Sequence, residues 1–166
     1  KALLGSILVR PSSVHDIVDI IRPDSFYVEK HGIIYKHMLD LVSRREPIDL
    51  VTLTAKLREH KILETIGGAE YITELSTIVP ASAHINYYAD IVAKKSALRG
   101  LISAGSEISE LGYEEGEDLE NILDTAEKTI LDITNNAGKA EKFISAKEII
   151  PEVYETIQKL GDNKGE

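Results

Sequence analysis

The amino-acid sequence predicts an all-α fold, on three observations. Apolar residues recur at helical spacing along nearly the whole chain, and the β-branched residues lie within those stripes instead of in bounded runs. Between the stripes fall proline, Gly-Gly and short capping side chains, which stop one helix and start the next. The expected architecture is a compact six-helix globular head, then an antiparallel helical hairpin, then a C-terminal linker helix.

In the first stretch, "ALLGSILVR" presents Leu4, Ile7 and Leu8, and the helix should stop before Pro11. Ser12 or Ser13 can cap "VHDIVDII", which closes at Pro23. "YVEKHGIIYKHMLDLVSRR" puts Ile34, Met38, Leu41 and Val42 on one face, with Arg44 and Arg45 where they complement the helix dipole. Pro47 is expected to end that helix and Asp49 to cap the next, whose buried face would be Leu50, Leu53 and Leu57. The alternation in "LVTLT" leaves a strand as the other reading, though Leu57 carries the helical spacing past it. Gly67 and Gly68 make a turn before a short helix showing Tyr71, Ile72 and Leu75, stopped by Pro80. These pieces make up a head over residues 1–83.

The pattern narrows in residues 84–136. From His84 to Leu111, Tyr88, Ile91, Leu98, Ile102 and Ile108 form a thin seam near seven-residue spacing, closer to a coiled-coil face than to a helix sunk in a core. "GYEEGED" is a polar turn, after which Asp118 can cap a helix with Leu119, Leu123, Ala126, Ile130 and Ile133 on its seam. Two helices alone bury little, so this hairpin is expected to lean on the head or on a second copy. Residues 137–144 read as a flexible linker, and residues 145–166 as a helix opened by the capping-box pair Ser145 and Glu148. Its apolar side, Ile150, Val153, Ile157 and Leu160, calls for a docking partner. Pro151 either kinks that helix or marks its true start.

A chain of 166 residues can bury roughly two thirds of its unfolded surface and fold unaided. Cysteine is absent, which excludes disulfides and thiolate metal sites. No apolar run approaches the ~20 residues of a membrane span, so a soluble, cytoplasmic protein is expected, with no membrane partner. The net charge is −9, and residues 100–135 account for all of it, with ten acids against the single base Lys128. With only the short basic pairs Arg44-Arg45 and Lys94-Lys95, weak or no direct DNA binding is expected.

Reactive chemistry is not legible. The five histidines show no metal-ligand spacing, and His31 and His37 fall on different faces of their helix, so no metal site is expected. The carboxylates of residues 107–132 read as a solvated acidic face rather than an acid/base pair of a hydrolase. Neither GxGxxG nor GxxxxGK[ST] occurs, so no catalytic residue and no cofactor site are assigned. Tyr71, Tyr87 and Tyr88 are the notable aromatics, suited to core packing or to anchoring a protein partner.

"ALLGSIL", the "FY" that precedes His31, Ile34 and Met38, then "EPIDLVTL", "GGAEYITEL" and "VPASAHINYYADIV" follow one another in an order and spacing that resembles the N-terminal region of bacterial replicative DNA helicases, the DnaB family. The resemblance runs from Lys1 to about Leu160. It implies a non-catalytic collar of a hexameric, ATP-driven helicase, with the ATPase domain, and its ATP and Mg, beyond the linker helix. It implies homo-oligomerisation through paired hairpins, with Ile91, Leu98, Ile102 and Ile108 as self-association residues. It implies docking of the helicase-binding domain of primase, with Tyr71, Ile102 and Ile108 as contact or coupling residues, and it leaves room for a helicase loader. Ile150, Val153, Ile157 and Leu160 would dock the linker helix on a neighbouring subunit. The family usually has Asn where this chain has His84, so Ser82 is expected to take over the cap, and Gly100 introduces a possible bend. The other reading is a free-standing helical adaptor or regulator of the same fold, such as a helicase-binding domain.

Overall fold

A computed structural model describes residues 1–79, 84–114, 116 and 118–135, which contain helices and no strand. The head carries α1 (Ala2–Val9), two 3-10 helices (Pro11–Asp16 and Pro23–Ser25), α2 (Glu29–Ser43), α3 (Leu50–Glu59) and α4 (Gly68–Thr77). Helix α5 (Ile85–Leu111) follows, and residues 119–135 form α6. The expected linker helix, the cap at Ser82 and the stop at Pro80 lie outside the described residues.

The chain divides into two compact units, residues 1–103 and 104 onward. In the first, α1 packs on α4, while α2 packs on α3 and on the second 3-10 helix. The shared core is built from Leu3, Leu4, Ile7, Ile34, Met38, Leu41, Leu53, Leu57, Ile72 and Leu75, with Ile85 and Ala89 of α5 joining it. Each such side chain contributes on the order of 2 kcal/mol through burial. Gly5 sets the approach of α1 to α4: a Cβ there would strike the carbonyl oxygen of Leu75 and lie 2.9 Å from Cγ2 of Val79.

Several elements differ in detail from the expectation. "VHDIVDII" is not an α-helix: a 3-10 helix to Asp16 gives way to turns, and Ser13 Oγ donates to the Arg10 carbonyl at 2.6 Å instead of capping. Val14, Ile17 and Ile21 are nevertheless all buried in the core, so the apolar positions pack as expected on a different backbone. Helix α2 ends before Pro47 acts. Arg45 adopts φ 59°, the Arg45 N–H donates to the Val42 carbonyl and the Glu46 N–H to that of Leu41. This is a Schellman motif, with arginine in the place that glycine usually takes. Helix α3 ends the same way, with Lys61 at φ 59° and Ile62 N–H donating to the Leu57 carbonyl.

The stretch "LVTLT" is helical, which settles the strand alternative. Asp49 Oδ1 accepts the Thr52 N–H at 2.7 Å, and this bond holds the carboxyl below its ordinary pKa. Leu53 and Leu57 are fully buried, but Leu50, in the first turn, stays exposed. Gly67 and Gly68 form the expected turn, both at positive φ. Helix α5 runs through Gly100 without interruption, and the His84 carbonyl accepts the Tyr87 N–H at its start.

Candidate docking and self-association surfaces

Two features stand out, a buried polar aromatic pair in the head and apolar rows on α5 and α6. The pair is His31, at the start of α2, and Tyr71, in α4. Their rings stack at 6.2 Å and 5°, and His31 Nε2 hydrogen-bonds the Tyr71 hydroxyl at 2.7 Å. Both residues are buried. Lys30 covers the tyrosine ring, its Nζ 3.5 Å from the centroid, and Lys1 approaches at 5.2 Å while pairing with Glu74 at 2.8 Å. Burial lowers the His31 pKa to about 4, helped by the Lys1 amino group and by Lys30, so the imidazole is neutral at pH 7.

On the opposite flank of α2, His37 meets His60 of the α3 C-terminus at 4.9 Å between centroids. Nearby, the buried Lys56 is paired with Asp40, which also takes Arg44 Nε at 3.2 Å. The hydrogen bond from Lys56 is the main cause of the lowered Asp40 pKa. His37 too is held below its ordinary value, first by burial and then by His60 and Lys56. Among the described residues no group of three or more potential ligands could hold a metal ion. An open cleft of about 340 Å³ lies between the second 3-10 helix and α2, lined by Pro23, Phe26, Tyr27, Ile33 and Lys36 among others. It offers no cluster of nucleophile and base.

The apolar rows are on the long helices. On α5, Ile91 and Leu98 are a little under half exposed, Ile102 is 72% exposed, and Ile108 is half-buried. Tyr88 turns inward onto the head core. In the second unit Ala104 is buried and Ile108 and Leu111 are half-buried; on α6 the half-buried positions are Ile122, Ala126, Thr129 and Ile133. These half-buried positions recur every three or four residues and make one seam on each helix of the second unit. Leu119, Leu123 and Ile130, expected on that seam, are exposed.

The proposed site residues therefore separate. Tyr71 is 8% exposed and bound to His31, away from Tyr87 and Tyr88, which pair with each other at 5.9 Å. Ile91, Leu98 and Ile102 share one side of α5, and Ile150, Val153, Ile157 and Leu160 lie outside the described residues. Sequence reasoning missed Leu101, 54% exposed, although it stands three residues after Leu98 in the same row. It also missed the His31–Tyr71 pair, whose members are 40 residues apart and share no local signal.

Among the described residues no helix is long and apolar enough to cross a membrane. Residues 1–94 match the family model described as the DnaB-like helicase N terminal domain. The chain is similar over its whole length to the replicative DNA helicase DnaC of Bacillus subtilis, at 38% identity, and to DnaB of Geobacillus stearothermophilus, at 36%. It spans 36% of the length of each of these relatives. The crystal structure of the N-terminal domain of DnaB helicase from Mycobacterium tuberculosis superposes with a TM-score of 0.75 at 39% identity, covering 79% of this chain and 92% of that one. With the all-α fold, the ordered motifs and these likenesses agreeing, the chain belongs to the DnaB-like helicase N-terminal domain family.

Proposed function

We propose that this chain is the collar region of a hexameric replicative helicase, assembling with copies of itself and receiving the helicase-binding domain of primase. The supporting observation is the exposed apolar side of α5, with Ile91, Leu98 and Ile102 open to solvent on a chain of this family. Exposed rows of this length on a stable helix mark protein interfaces. The full-length protein would use ATP and Mg in a separate motor domain to unwind duplex DNA in the cytoplasm. Neither phosphate chemistry nor strong DNA binding belongs to these residues, whose acidic α6 repels a nucleic-acid backbone. A helicase loader would be a further partner, and Ile150, Val153, Ile157 and Leu160 would dock the linker helix on a neighbouring subunit.

For primase, Ile102 and Ile108 would act by contact. Tyr71 would act by coupling, because it is buried and its ring is covered by Lys30. The test is calorimetric titration of the primase C-terminal domain into the chain. Saturable binding is expected, weakened at least tenfold by Ile102→Asp with helical circular dichroism unchanged. Absence of heat with the unmutated chain at ~100 µM would sink the reading.

A further inference from the structure

Helix α5 meets the head core between Ile85 and Ala93. Ile85 and Ala89 belong to that core, and Tyr88, Val92 and Ala93 pack against it. Among the described residues no later position of α5 joins it. From Ala93 to Ser103, where the first compact unit ends, roughly 15 Å of helix therefore runs on beyond the core. We propose that Arg99 is the positioning residue of this stretch, a strap that ties α5 to Ser25 and Tyr27 and so sets the direction in which the helix leaves the head. The proposal deepens the collar reading, for which that direction matters. Its test reads a distance within one chain, so the two can fail separately.

The half-buried Arg99 makes two contacts at once. Its Nη2 donates to the Ser25 carbonyl at 2.8 Å, and its guanidinium carbon lies 5.5 Å from the centroid of the Tyr27 ring. The charge strengthens the hydrogen bond, and the ring offers its negative face to the cation. A planar guanidinium can do both, whereas an ammonium is a point charge. Core packing does not account for Tyr27, which is 83% exposed. As the platform under Arg99 it has a role.

A strap works only if its anchor is fixed, and this one is held on both sides of Ser25. The Ser25 N–H donates to the Arg22 carbonyl at 3.0 Å, and Ser25 Oγ accepts the Arg22 N–H at 3.0 Å. Before it, Pro23 is pressed on α2 so closely that a Cβ on Gly32 would strike the Pro23 carbonyl oxygen. After it, the Phe26 ring packs 5.4 Å from that of the fully buried Tyr35. The place of Arg99 along α5 matters as well. It stands well beyond the last core contact, where a tether restrains the angle of a helix better than one close to the core would. Gly100 follows directly, and glycine is the residue at which a helix yields most easily.

The chain has no cysteine, so spin labels can be placed on Val51→Cys in α3 and Ser103→Cys in α5, two exposed positions of one compact unit. Double electron–electron resonance on the labelled 166-residue chain, diluted into an excess of unlabelled chain, reads the distance from head to α5 within single molecules. One narrow distance is expected with Arg99 in place, and a broad distribution there would overturn the proposal. Arg99→Gln keeps the helix propensity and a donor amide but removes the charge and the fork. It is expected to at least double the width of the distribution or to move its maximum, with the urea midpoint close to that of the parent. An unchanged distribution overturns the proposal whether or not the midpoint falls, since a fall alone would give Arg99 a merely structural role. Should Arg99→Gln lose its helical circular dichroism, Tyr27→Ala decides instead, because it removes the platform and leaves the α5 sequence intact. The same broadening is expected, and its absence overturns the strap.

Discussion

At His31 the ordinary imidazole equilibrium is displaced by the position of the ring. Its folded-state pKa of about 4 lies below the unfolded value near 6.5. As pH falls the unfolded chain therefore takes the proton first. The contribution to stability is whole above about pH 6.5 and is lost progressively as pH falls through 4. The buried His37 adds to the loss with the same sign. The His31 share is on the order of 2 kcal/mol. Urea titrations at pH 7.5 and 4.5 should show a smaller pH difference in His31→Gln than in the unmutated chain; equal differences would show that His31 does not titrate this way. Residue roles were unevenly legible. The Asp49 cap could be read because its target amide is three residues away, whereas the His31 partner is forty residues away in another helix.

The helices themselves were legible wherever one face carries the core. Their ends were less so. Sequence punctuation pointed to Pro47, yet α2 stops at Ser43, four residues before it, because Arg45 can adopt the left-handed conformation and the Arg45 and Glu46 amides satisfy the last carbonyls. The stretch after Pro11 misled because its apolar spacing of three and four fits either an α-helix or a 3-10 turn, and only packing decides. Lys61 at φ 59° occupies a position that favours glycine. Lys61→Gly should raise stability by about 0.5–1 kcal/mol in chemical denaturation, and an unchanged or lower midpoint would argue against strain there. Asp49→Ala should lower stability by about 1 kcal/mol through loss of the α3 cap, read in the same assay.

Across the whole molecule, the head depends on close approach and the long helices on what covers them. Gly5→Ala should cost about 2 kcal/mol, since the added methyl meets the α4 backbone at Leu75 and Val79; an unaltered unfolding midpoint would mean that α1 can shift away freely. The sequence pattern left the α5 and α6 seams in need of a covering, and of the α6 positions it put on the seam Ala126 and Ile133 are half-buried while Leu119, Leu123 and Ile130 are exposed. On the exposed side of α5, Ile102 is the most exposed member of the apolar row, so a charge there disturbs any pairing through it. Sedimentation equilibrium of the 166-residue chain and of Ile102→Asp, over a wide concentration range, tests the collar reading most directly. The account predicts a dimer or higher assembly for the unmutated chain and at least a tenfold weaker association for the variant. A chain that stays monomeric at ~100 µM, or a variant that assembles as well as the original, would contradict it.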